Sequence, residues 1–261
     1  LTFYQREPQK SAPALDILDS HGRVIRSVSG THKVAGKDEP YVTNKAGLNR
    51  YTWDFNVNGP VKWNGGNDFS KGPETGPGVV PGSYSARMTL SGHTYVQRFD
   101  VLPDPRSHFT QAEYQRSFDA AIRQMGHLSQ IDTMLNNLDD LKKSLETASS
   151  AAKKANNTAL SQKLDAATAA RQTLFDTLAV NIRGEGTEDE GKLHEDVFGA
   201  YFGAQGLVTP AVVSLLTRVD ALYDAGIVRY NAFVTGVLPG VNAALKQAGM
   251  KTLPVVKIIT P

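Results

Sequence analysis

One stretch constrains the fold more than any other: Gly82 to Leu102, GSYSARMTLSGHTYVQRFDVL, followed at once by Pro103-Asp104-Pro105-Arg106. Tyr84, Ala86, Met88 and Leu90 fall on one side of a period-2 ribbon, and Ser83, Ser85, Arg87 and Thr89 on the other. After Ser91-Gly92, Tyr95, Gln97, Phe99 and Val101 alternate with Thr94, Val96, Arg98 and Asp100. Two alternating runs around a two-residue turn predict a β-hairpin with a largely apolar face. Beyond the prolines the spacing becomes helical and stays so. A β domain over residues 1–105 is therefore expected to hand over to a helical domain over 106–261.

The residues before the hairpin read as short strands between turns. Leu1 to Glu7 is strand-like, and Ala14–Leu18 with Arg23–Val28 flank the turn Asp19-Ser20-His21-Gly22, with Leu15 and Ile17 as core candidates. Ser29 to Ala46 reads as a loop with a short edge strand near Tyr41. Asn49 to Phe55 alternates, with Tyr51, Trp53 and Phe55 on one face. Asn56 to Pro81 is crowded with Gly and Pro, a long excursion that is either functional or a covering flap. Short strands with such turns predict an antiparallel sandwich, immunoglobulin-like or fibronectin type III-like.

The helical part opens on a capping box, Thr110 with Glu113, and Phe109 and Tyr114 stand at the positions of a hydrophobic staple. Apolar residues then recur from Tyr114 through Phe118, Leu128, Leu135 and Leu138 to Leu145, predicting a long amphipathic helix. Ser149 to Asn157 reads as a polar turn, and Leu160 to Ile182 as a second helix. A short helix from about Leu193 to Phe202 follows. Thr209-Pro210 opens a third long helix through Val234, Pro239-Gly240 interrupts it, and Val241 to Ala248 is a last short helix. Three long stripes in series predict an up-down-up bundle, hence an α+β chain in two segregated domains.

Basic and acidic residues nearly cancel, 28 against 26, which argues against nucleic acid or an acidic membrane surface as partner. No apolar run approaches the roughly 20 residues of a membrane span. Without cysteine there is no disulfide and no thiolate metal site. Leu1 opens directly into strand-like sequence, so the chain is expected to be a segment whose N-terminal part is missing.

GLNRYTWD (Gly47 to Asp54), the passage Gly76 to Tyr84, VLPDPR (Val101 to Arg106) and VNAALKQAGM (Val241 to Met250) resemble one family. They are similar to the C-terminal region of large bacterial proteins whose N-terminal part is a sortilin-like propeller of BNR-type repeats, often labelled glycosyl hydrolases. LDILDSHGRVIR (Leu15 to Arg26) and Trp53-Asp54 also resemble the flagellar-hook-capping type of Ig-like domain. The resemblance implies an Ig-like sandwich and a helical bundle behind an upstream propeller of the same protein, in a periplasmic or extracellular setting. The propeller's Asp-box pattern, S-x-D-x-G-x-x-W, does not occur here, so the resemblance supplies no catalytic residue.

Candidate sites are few. Glu185, Glu188, Asp189, Glu190, His194, Glu195 and Asp196 form the densest ionisable cluster, but the spacing matches neither an EF-hand nor His-Glu-x-x-His. It reads as a solvated acidic loop before a short helix, with cation binding by 185–196 left open. Asp139-Asp140 are neighbours on a helix and point apart. No nucleophile arrangement and no phosphate loop is present. Trp63 and Phe69, in the Gly/Pro-rich excursion, are the one possible ligand or docking platform: flat rings for a sugar, or a plug against protein. The expected role is a non-catalytic structural or interaction module with no cofactor or metal. The alternative is an accessory carbohydrate-binding module of a secreted glycoside hydrolase.

Overall fold

The structure, a computed structural model, describes residues 1–30, 41–66, 75–179 and 192–260. It combines antiparallel strands with helices, the strands coming first in the chain. Two compact units emerge, Leu1–Gly59 with Glu74–Asp119, and Pro60–Pro73 with Ala120–Pro261. The division is not a single cut in the sequence: residues from Pro60 belong with the helices, and the first turns of the first helix belong with the strands.

In the first unit, β1 (Thr2–Gln5) pairs with β4 (Gly47–Arg50), and β5 (Asn56–Asn58) with β6 (Thr75–Gly78). A four-stranded antiparallel sheet has the order β3-β2-β7-β8, from β2 (Ala14–Leu18), β3 (Val24–Ser29), β7 (Gly82–Leu90) and β8 (His93–Val101). The β7–β8 turn has Ser91 at φ 48° and Gly92 at φ 81°, the two left-handed residues of a type I′ turn, whose twist matches that of the strands. Its register sets Tyr84 opposite Phe99, Ala86 opposite Gln97 and Met88 opposite Tyr95, the apolar face the sequence predicts.

Leu15 and Ile17 are fully buried and pack with Val28, Val42, Tyr51, Trp53 and Ala86. Trp53 meets Tyr84 and Phe99 edge-on at 6.0 and 5.9 Å, and its indole N–H donates to the Asn56 carbonyl at 2.9 Å. The alternation expected through Phe55 stops early. The strand ends at Arg50, and Phe55 has φ 61° with its ring half-exposed. Asp54 accepts the Asn56 N–H at 3.1 Å, an Asx turn that swings the chain into β5. Tyr41 also lies outside any strand, although the next residue, Val42, donates to the Ser29 carbonyl and is buried.

The second unit holds most of α1 (Gln111–Lys154) and all of α2 (Thr158–Leu178), α3 (Leu193–Ala204), α4 (Pro210–Gly236) and α5 (Leu238–Gln247). At 44 residues α1 is ~66 Å long. Its start is the reciprocal cap: Thr110 N–H donates to Glu113 Oε2 at 2.7 Å and Glu113 N–H to Thr110 Oγ1 at 3.3 Å. Phe109 and Tyr114 close the staple at 5.5 Å between centroids.

The polar turn expected from Ser149 is shorter than its composition suggests. Helix α1 runs on to Lys154 because alanine is the strongest helix former and Ala152 is buried on the inner face. Asn156 takes φ 50°, and Asn157 caps α2 by accepting the Leu160 N–H. Thr209 caps α4 with Pro210 at the first position, as the sequence predicts. The α4–α5 break lies at Val237, just ahead of the predicted Pro239-Gly240: the Pro239 ring excludes the carbonyl four residues back, so the ladder fails upstream of the proline.

Leu128, Ile131, Met134, Leu135, Leu138, Leu141 and Leu145 are fully buried, so the core of this unit is built along the C-terminal two-thirds of α1. After α5 the tail is pinned by side-chain amides. Asn242 Oδ1 accepts the Leu253 N–H, while Asn231 both accepts from the Ile259 N–H at 2.9 Å and donates to its carbonyl at 2.8 Å. Among the described residues no helix is long and apolar enough to cross a membrane.

Candidate functional site

A row of polar groups, buried at Asp132 and half-buried at Ser129, Asn136 and Asp139, lies on α1 on the face that receives Pro60–Gly66. Ser129, Asp132, Asn136 and Asp139 are spaced three, four and three apart, which stacks them along one side of the helix. Ser129, Asn136 and Asp139 bond the loop. Ser129 Oγ accepts the Val61 N–H at 3.1 Å, Asn136 Nδ2 donates to the Lys62 carbonyl at 2.8 Å, and Asn136 Oδ1 accepts the Asn64 N–H at 2.8 Å. The Trp63 indole N–H donates to Asp139 Oδ2 at 2.8 Å.

The Trp63 ring is 5% exposed and meets Phe175 edge-on at 5.7 Å and His194 at 6.2 Å. It is a plug in the helical core, and no face of it is open to a sugar. Gly65 is required beside it: a Cβ there would stand 2.6 Å from Asp139 Oδ2 and 2.8 Å from the indole nitrogen. Phe69 lies outside the described residues.

Asp139 also takes Arg171. The buried guanidinium donates to Asp139 Oδ1 at 3.0 Å and, through Nε, to the Leu138 carbonyl at 2.9 Å, and it lies 4.5 Å over the Phe175 ring. Asp140 points away to solvent, where it meets Lys143 at 3.1 Å. Adjacent carboxylates thus serve opposite faces, as helix geometry demands.

Asp132, fully buried, faces His194, which is 1% exposed. His194 Nε2 lies 2.9 Å from Asp132 Oδ1, and Nδ1 lies 3.5 Å from Glu195 Oε1. The ring N–H groups miss the straight geometry of a hydrogen bond, so the attraction is mainly that of charges in close contact. Helix α3 aims the ring: Leu193 seats against Gly226 of α4, where an added Cβ would stand 2.4 Å from Leu193 Cδ2. Burial resists protonation of His194, but the Asp132 and Glu195 carboxylates close to its two nitrogens outweigh it and raise the imidazole to about 9. Burial likewise pushes the Asp132 carboxyl above its ordinary range, opposed by His194 and by the Trp63 backbone N–H.

An Asp–His pair is two-thirds of a hydrolytic triad, but this one is poorly placed for that chemistry. A group held as imidazolium at neutral pH is no general base there. Both ring nitrogens face carboxylates, and neither residue reaches solvent. What the arrangement does is fasten α3 to α1 beneath Trp63. Among the described residues no group of three His, Asp or Glu side chains is placed to hold a metal.

Of the acidic cluster read from the sequence, His194, Glu195 and Asp196 form the first turn of α3, while Glu185, Glu188, Asp189 and Glu190 lie outside the described residues. Sequence reasoning missed Asp132, Asn136, Asp139 and Arg171 as a set. A signal existed: Asp132 stands four residues after Leu128 and three before Leu135, inside the apolar stripe.

Surface grooves also occur among the described residues. One, of about 570 Å³, runs between Lys143–Ala151 of α1 and the tail at Met250–Val255. Another, of about 600 Å³, lies on the sheet beside the turn at Asp19 and is lined by Ser83, Ser85, Arg98 and Asp100. Glycoside hydrolysis needs a carboxyl raised enough to act as acid. In the sheet groove Asp19 goes the other way. Desolvation pushes it up, but the Arg23 and His21 backbone N–H groups and the Arg23 guanidinium hold it below the usual range. Comparison with protein-family models, curated proteins and solved structures finds no match to this chain.

Proposed function

We propose that this chain is a non-catalytic structural or interaction module, the C-terminal part of a larger exported propeller protein. In this reading residues 1–105 correspond to an Ig-like, fibronectin type III-like sandwich and 106–261 to an up-down-up bundle. The upstream propeller of the same protein is the first partner, in the periplasm or outside the cell. One observation carries the reading: the side chains best suited to chemistry are used against each other. Trp63, Asp132, Asp139, Arg171 and His194 join the 60–66 loop, α1, α2 and α3 to one another in a buried cluster. The glycan-binding alternative needs Trp63 and Phe69 as a platform; Trp63 is a plug in the helical core, and Phe69 lies outside the described residues.

The test is an activity panel on the purified chain, with chromogenic glycosides and peptide substrates at pH 5 to 9. No turnover above that of an Asp132→Asn/His194→Gln control is expected. Turnover that scales with purified protein and is abolished by changing one carboxylate, with folding retained by circular dichroism, would overturn the reading.

A further inference from the structure

The two edges of the four-stranded sheet are treated differently. On the β3 edge the outward-pointing groups are engaged: the Ser27 N–H donates to Asn58 Oδ1 at 3.1 Å and the Ser29 carbonyl accepts from Val42. Among the described residues the β8 edge is open. In a two-residue hairpin the pair closing the turn, Leu90 and His93, is hydrogen-bonded, and bonded pairs then alternate along the ladder. The backbone groups of Thr94, Val96, Arg98 and Asp100 therefore point away from β7. All four residues are exposed, and the only bond to this row among the described residues is from the neighbouring Gln97 side chain to the Arg98 carbonyl. A nine-residue strand with such an edge is a template for another strand.

We propose that β8 is a self-complementary edge through which two copies of this chain pair antiparallel, with Phe99 on the two-fold axis. The charges choose the occupant and the register. Centred on Phe99, Arg98 of each copy stands opposite Asp100 of the other, giving two reciprocal ion pairs on the outer face. Asp100 has an oxygen to give, since Ser83 bonds only Oδ1. Sliding the strands by two residues either way sets Arg98 against Arg98, or Asp100 against Asp100. Sliding by one sets outward backbone groups against inward ones and loses the ladder. On the inner face the two half-buried Phe99 rings meet and extend the cluster of Trp53 and Tyr84 across the axis. This goes beyond the interaction-module reading and does not depend on it, because an enzyme could pair in the same way.

Sedimentation velocity on the full chain over a concentration series tests the proposal. The wild type is expected to shift from monomer to dimer as concentration rises. Arg98→Asp alone and Asp100→Arg alone each replace two attractive pairs with two repulsive ones and weaken association on the order of tenfold or more. An equimolar mixture of the two variants recovers the dimer, since every pair across the axis is then matched, and this also shows that both variants fold. The double variant Arg98→Asp/Asp100→Arg pairs with itself. A wild type that stays monomeric throughout, a dimer indifferent to either single change, or a mixture that fails to recover would each overturn the proposal. The last two point to a different face or to a strand from another protein.

Discussion

The buried pair at His194 makes stability depend on pH in a direction opposite to the usual carboxylate case. An imidazole at about 9 in the folded chain and near its ordinary 6.5 when unfolded binds its proton more tightly when folded. The linked stabilisation is fully present below pH ~6.5, declines as pH rises, and is gone above about 9. At ~1.4 kcal/mol per pKa unit the span corresponds to about 3 kcal/mol. His194 is 1% exposed, so little solvent screening reduces the figure. His194→Gln alone is a poor control because it strands the Asp132 carboxylate, a change of ~3–5 kcal/mol in its own right. Asp132→Asn/His194→Gln removes both charges and keeps similar shapes.

Urea unfolding at half-unit steps from pH 6 to 10 provides the measurement. It is followed by fluorescence in a Trp53→Phe background, so that Trp63 reports on the helical unit. The difference between the parent and the double variant should fall by about 3 kcal/mol across the window. A flat difference would refute the charge pair. A difference that grows with pH would mean that the imidazole is neutral in the fold, with burial dominant over its carboxylates.

Three further outcomes follow from the packing. Trp63→Ala should destabilise the helical unit by ~3–5 kcal/mol, and Trp63→Phe, which keeps the ring contact but loses the N–H to Asp139, by ~1–2 kcal/mol, both read by denaturant midpoint. Trp53→Ala should cost the strand unit a similar ~3–5 kcal/mol, and a shift under ~1 kcal/mol would place that ring at the surface. Asn231→Ala should free the tail near Ile259, speeding amide exchange at Ile259 while Leu253, held by Asn242, and the helices stay protected; unchanged exchange would show that the tail is held by other contacts.

What could be read from the sequence was what local chemistry dictates. The hairpin at Ser91-Gly92, the Thr110–Glu113 cap and the Thr209-Pro210 start each depend on a few adjacent residues, and each is found with the expected bonds. The misses arise where a distant partner decides. Phe55 keeps the alternation in sequence, yet an Asp54–Asn56 turn overrides it. For Trp63 the sequence offers both a sugar platform and a plug against protein, and only a carboxylate on α1, far along the chain, shows where the ring goes and why Gly65 must be small. Asp132 interrupts an apolar stripe, and its meaning depends on a histidine brought alongside by α3.

The same set explains why polar residues are retained in a position that leucine could fill. A buried ion pair is often no more stabilising than hydrophobic side chains of the same volume, because desolvation offsets the attraction. By itself, then, Asp132–His194 is a weak reason for the fold to be stable. Its geometry is more selective than its energy. An apolar α1 would accept the 60–66 loop at any of several heights, whereas Ser129 and Asp139 each bond one group of that loop and Asn136 bonds two. Displacing the loop by one residue breaks all of these at once and leaves the half-buried Asn136 and Asp139 side chains without their loop partners. Above pH ~9, where the linked stabilisation is gone, the double variant should therefore match or exceed the parent in stability. The loop's position should still be fixed by the four bonds that remain.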